Sequence, residues 1–216
     1  MTEEEWLACA DPWPMLEFLQ GKASERKLRL FACACYRRSP QYVFDFDSGE
    51  AGKHNLKVVE VAERHADGMA SEQERHDYFL TTDDVHLMDK DVIWSASDAV
   101  LAAAMGATEL PGMQPDEKER QERTLLSNLL RDIFGNPYRP VTLAPSWQTP
   151  QVVALAQAAY DQREMPSGTL DPVRLAVLAD ALEEAGCTDA EVLGHLHGPG
   201  PHVRGCWALD LLLGKE

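Results

Sequence analysis

Four residues near the C-terminal end of the chain, Cys187, His195, His202 and Cys206, combine the two side-chain types that hold a borderline-soft divalent cation best. A Cys2His2 set suits a structural Zn2+, which takes thiolate and imidazole ligands in a tetrahedron. The spacing supports part of the set. His202 and Cys206 stand four apart, so on one helix both side chains share a face. Cys187 and His195 stand eight apart, about two turns or roughly 12 Å along a helix axis. For both to reach one metal, Cys187 must lie on the turn before the helix or His195 past its end. His197 is either a substitute ligand or an exposed residue. There is no CxxC knuckle. In the competing reading, Cys187 and Cys206 are small buried apolar residues and His202 hydrogen-bonds a helix end. Zn2+ is the one candidate cofactor.

These residues must be positioned by a helical hairpin. Asp171 caps and Pro172 opens a helix running to Ala185, with Gly186 as its left-handed stop. Thr188 and Glu191 match a capping box for a helix ending near Leu196. Gly198-Pro199-Gly200-Pro201 reads as a rigid reversal, and Val203 to Leu213 as a returning apolar helix closed by Gly214.

The rest of the chain carries the same punctuation. Asp11-Pro12 and Ser24 each cap a helix, the second running from Glu25 to about Arg38. Tyr42 to Asn55 reads as a loop, and a helix is expected from about Lys53 to Met69. Ser71 to Glu74 matches another capping box. Asp91 to Met105 is helical with an Ala-rich face for close packing. Asp116 is expected to cap a long helix through Leu126, Leu130 and Ile133, stopped by Gly135. The three prolines between Asn136 and Trp147 exclude a helix and suggest a strap with at most an edge strand, before Thr149-Pro150 opens the next helix. The expected fold is all-α: a compact domain over 1–216 of about eight to ten helices, with a Pro-rich strap, a C-terminal hairpin and a candidate sub-domain break near 106–115.

Composition restricts the function classes. A hydrophobic share of 44% is that of a globular chain, and a formal charge of -16 repels a nucleic-acid backbone. No apolar run approaches the roughly 20 residues of a membrane span, and the start, MTEEEWLACADPW, lacks the features of a signal peptide. The expectation is a cytoplasmic protein that binds neither nucleic acid nor membrane. One basic cluster, Arg26, Lys27, Arg29, Arg37 and Arg38, is a candidate surface for an anion or an acidic partner; the competing reading pairs these cations with the acidic remainder of the chain.

Other chemistry finds less support. Cys33 and Cys35 stand two apart on a helix and point to different faces. Asp180 and Glu184 share a face, as an acid/base pair would, and equally as an outer charged face would. His65, His76 and His86 are scattered. No GxSxG, HExxH, P-loop or GxGxxG is present.

The strings LLRDIFGNPYRPVTL, LADALEEAGCTDAEVLGHL and GPGPHVRGCWALDLLLGKE, with the opening TEEEWLACADPWPMLEFLQGKASERKLRLFACAC, resemble a large paralogous family of uncharacterised planctomycete-type bacterial proteins. The resemblance covers most of the chain, least clearly Tyr36 to Gln121. Within it, Asp171-Pro172, Arg174-Leu175, Ala179-Asp180, Leu182-Glu183-Glu184 and Gly186 resemble the short repeat-companion motif, with Ala181 where that motif carries an aromatic. The resemblance implies relatives and no activity. The residues favour a non-enzymatic helical domain that binds another protein or module, with a structural zinc site. The alternative is a metal-dependent hydrolase using the C-terminal His, Cys and acidic groups, which needs an open coordination position.

Overall fold

A computed structural model describes residues 1–39, 50–79, 92–108 and 114–215. It is mostly helical, 68% helix, with eleven helices and one two-stranded sheet among the described residues. No described helix is long and apolar enough to cross a membrane. The chain forms two compact units, Met1–Leu130 and Arg131–Glu216.

In the first unit the helices are α1 (Glu3–Ala8), α2 (Pro12–Leu19), α3 (Glu25–Arg38), α4 (Glu50–Ala66), α5 (Glu72–Phe79) and α6 (Val92–Thr108). Most of α7 (Pro115–Phe134) also belongs here. The capping box that opens α1, Thr2 with Glu5, lies in a stretch the sequence reading left unassigned. Helix α3 is buried without a break from Leu28 to Arg37 and forms the core: Leu28, Leu30, Phe31, Cys33, Cys35 and Tyr36 pack against α4 on one side and the Ala96, Ala99 and Ala103 face of α6 on another. Cys33 and Cys35 thus serve packing.

The basic cluster lies on this buried helix. Arg37 forms a two-pronged pair with Glu63 at 2.8 and 2.9 Å, Arg38 a second with Glu122 at 2.6 and 2.9 Å, and Arg26 meets Asp67 at 2.9 Å. Arg29 is buried, and that burial lowers its pKa. Arg26, Arg37 and Arg38 thus pin α3 to its acidic neighbours.

The described part of the loop expected at 42–55 is already helix from Glu50. Residues 42–49 of that loop, and His86, lie outside the described residues. Of the expected break at 106–115, residues 109–113 lie outside the described residues; the flanking helices are α6 to Thr108 and α7 from Pro115. Asp116 sits in the first turn of α7, where the Gln114 carbonyl accepts from the Glu117 and Lys118 amides, and is not its cap.

The second unit contains the last turn of α7 and then α8 (Pro150–Asp161), α9 (Pro172–Glu184), α10 (Ala190–Leu196) and α11 (Trp207–Leu213). Its core is built from Val152, Ala156 and Tyr160 of α8, Leu175, Leu178 and Leu182 of α9, and Leu209 and Leu212 of α11. The Pro-rich strap packs Val141, Leu143 and Trp147 on that core, with a 3-10 turn at Pro145–Trp147 and no strand. The Gln148 side chain donates to the Leu212 carbonyl at 3.2 Å.

Three local expectations are corrected. Asp189, not Thr188, caps α10, its carboxylate accepting from the Glu191 and Val192 amides. The segment from Val203 to Cys206 is not helical. Gly205 holds φ at +91°, and Val203 bridges Thr169 of the hairpin β1 (Arg163–Glu164), β2 (Thr169–Leu170), a strand pair the sequence reading did not foresee. The Leu170 amide also donates to the His202 carbonyl at 2.8 Å. Helix α11 therefore begins only at Trp207.

Candidate metal centre

Three chain segments of the second unit deliver four donor groups to one point. Asp132 arrives from the last turn of α7, His195 from the last turn of α10, and His202 and Cys206 from the irregular stretch before α11. One donor atom from each lies within 4.8 Å of every other.

The details show convergence rather than a chain of contacts. His202 Nδ1 is 2.8 Å from Asp132 Oδ1. His195 Nε2 is 3.1 Å from that same oxygen and 3.1 Å from Cys206 Sγ. A Cys-His-Asp relay would use the two different nitrogens of its histidine. Here both contacts come from Nε2, so the arrangement is not a relay. A tetrahedral zinc with bonds of about 2.0 to 2.3 Å would space its donors about 3.3 to 3.8 Å apart, within the range these atoms span.

Two donors are held by further contacts. The Val203 amide donates to Asp132 Oδ2 at 2.9 Å, leaving Oδ1 facing the centre. His202 Nε2 donates to the Gly198 carbonyl at 3.2 Å, leaving Nδ1 facing the centre. Outer contacts of this kind fix the orientation of metal ligands.

Local sequence explains the placement. Gly200 adopts φ +78°, and a Cβ there would stand 2.8 Å from the His202 amide nitrogen; only glycine allows this approach. Gly135 adopts φ +64° after α7, where a Cβ would meet the Trp207 ring at 3.1 Å. That ring packs on His195, centroids 5.0 Å apart, and the His195 and His202 rings meet edge to face at 4.7 Å.

The electrostatics are those of a buried, charged cluster. Burial pushes the Asp132 carboxyl up, but hydrogen bonds and charge from His195 and His202 outweigh it, and the net shift is downward. Burial pulls His202 down, and Asp132 with the Gly198 carbonyl reverses that, leaving its pKa raised. Burial, reinforced by the Asp132 charge, drives the Cys206 thiol well above its ordinary value.

Of the four sequence-predicted ligands, His195, His202 and Cys206 come together. Cys187 is not among the group: it is buried in the apolar core after Gly186, its amide bonded to the Leu182 carbonyl at 2.9 Å, and burial raises its thiol pKa. His197, the substitute, is exposed at the end of α10. His202 and Cys206 meet because the Gly205 turn folds them together; they do not share a helical face.

The fourth member, Asp132, was missed. Its signal was present: an acidic residue one turn past Leu129, beside the apolar stripe of α7 that holds Leu130 and Ile133. Asp180 and Glu184 lie exposed on α9, as an outer charged face does.

Comparison with protein-family models, with curated proteins and with solved structures finds no match to this chain.

Proposed function

We propose that the chain is a non-enzymatic helical adaptor that binds another protein, and that its C-terminal unit is tied together by a structural Zn2+ on Asp132, His195, His202 and Cys206. The observation that carries the metal reading is the meeting of four donors from three chain segments at one point. The donor set suits the ion. One thiolate and one carboxylate balance a divalent cation, so a buried centre with two neutral imidazoles has no net charge. The nitrogen and sulfur ligands favour zinc over calcium or magnesium, which take oxygen. Four protein donors fill a tetrahedron, and a catalytic zinc keeps one position for water. The hydrolase reading is therefore the weaker one.

The adaptor reading rests on a helical scaffold without a recognised catalytic motif and on a charge of -16 that opposes nucleic acid. Elemental analysis of full-length protein purified without chelator tests the metal, with about one zinc per chain expected. Added Zn2+ at a hundredfold excess over Kd should stabilise chelator-treated protein by about 2.7 kcal/mol. Absence of both effects rejects the zinc. Affinity capture followed by size-exclusion tests the adaptor: a defined heteromeric complex supports it, and a monomer without partner under all conditions rejects it.

A further inference from the structure

We propose, resting on the zinc reading above, that His195 is the exchangeable ligand of the centre: the metal enters and leaves on its side, and an outside nitrogen donor can take its place. Two independent observations single it out. Its side chain is 19% exposed, whereas those of Asp132 and His202 are 3% and 5% exposed and Cys206 is fully buried. It is also the histidine without an outer anchor. His202 spends its second nitrogen on the Gly198 carbonyl, while Nδ1 of His195 makes no hydrogen bond among the described residues. A ligating histidine ordinarily fixes its ring through that second nitrogen. Beyond its Nε2 contacts with Asp132 and Cys206, His195 is held by ring packing, against Trp207 and His202.

The other three donors cannot leave cheaply. Moving Asp132 breaks the bond from the Val203 amide, and moving His202 breaks the bond to Gly198. Cys206 is tied by its own backbone, its amide donating to the Val203 carbonyl at 3.0 Å and its carbonyl accepting from Asp210 at 2.9 Å. Rotation of the His195 side chain toward solvent disturbs none of these. It leaves Asp132, His202 and Cys206 around the ion and opens one coordination position to water or to a neutral nitrogen ligand.

The test loads full-length wild type and His195→Ala with Co2+ and with Zn2+, and follows Zn2+ release into a chromophoric chelator. His195→Ala should still take up one ion per chain and release it about tenfold or more faster. Its Co2+ spectrum should shift on losing a protein ligand, and added imidazole should restore the wild-type bands. His202→Gly, lacking an anchored ligand, should bind weakly and not be rescued; if it does not fold, imidazole rescue of His195→Ala decides the matter. A wild type that binds neither metal overturns the zinc reading itself. A wild type that binds, with a His195→Ala that binds nothing or ignores imidazole, overturns only the role of His195.

Discussion

Asp132 and His202 are seventy residues apart in sequence and 2.8 Å apart in the fold, carboxylate to imidazole, both buried. The second oxygen of the same carboxylate accepts the amide of the residue after His202. One side chain therefore fastens the end of α7 to the stretch that precedes α11. Asp132→Ala should remove these bonds together, leaving His202 Nδ1 and the Val203 amide without their buried partner. A loss of about 3 to 5 kcal/mol is expected in urea unfolding of metal-free protein. A change below about 1 kcal/mol would show that the contact contributes little.

Cys187 and Cys206 should part company in metal binding. Cys187→Ala should leave zinc stoichiometry unchanged and cost about 1 to 2 kcal/mol as a small core cavity. Cys206→Ala should cut zinc affinity strongly, since it removes the only thiolate of the set. Equilibrium competition with a zinc chelator measures both, and equal behaviour of the two variants would refute the ligand assignment.

Gly200→Ala should disturb the centre through the backbone. The substitution puts a side chain at φ +78° and a carbon 2.8 Å from the His202 amide. A destabilisation of about 1 to 3 kcal/mol is expected, with weaker metal binding as a consequence. Thermal unfolding with and without Zn2+ reads both effects.

The Asp132–His202 pair predicts how metal-free protein responds to pH. The Asp132 pKa is lowered in the fold, so its contribution is present above the unfolded carboxylate value near about 3.9 and lost as pH falls through the folded one. The His202 pKa is raised, so its contribution is full below the unfolded value near about 6.5 and lost as pH rises through the folded one. The stability difference between wild type and His202→Gln, measured in chelator, should peak between about pH 4 and pH 6.5. A difference that keeps growing above neutral pH would contradict the assignment.

In the first unit, Arg37 and Glu63 form a two-pronged pair with both side chains almost fully buried. Arg37→Ala should cost about 3 to 5 kcal/mol, because it strands a buried carboxylate. The double substitution Arg37→Leu with Glu63→Leu should recover most of that loss. A double-mutant cycle by chemical denaturation gives the coupling directly.

By itself the sequence determined most of the helices and many of their ends. Caps such as Asp171 and Thr149, and stops such as Gly186, act through hydrogen bonds and backbone angles within a few residues, and each stands where its pattern places it. The sequence also determined that histidine and cysteine crowd the C-terminal end. Only the tertiary structure decided which of them meet. Cys187 and Cys206 are both buried thiols, and nothing local separates the one that packs in the core from the one that faces Asp132. The turn at Gly205 and the bridge from Val203 to Thr169 replaced an expected helix because a partner strand more than thirty residues upstream competes for the same backbone. Asp132 became part of the centre for the same reason. Local periodicity sets which face of a helix is apolar, whereas the partner of a buried charge depends on which distant segment the packed core brings beside it.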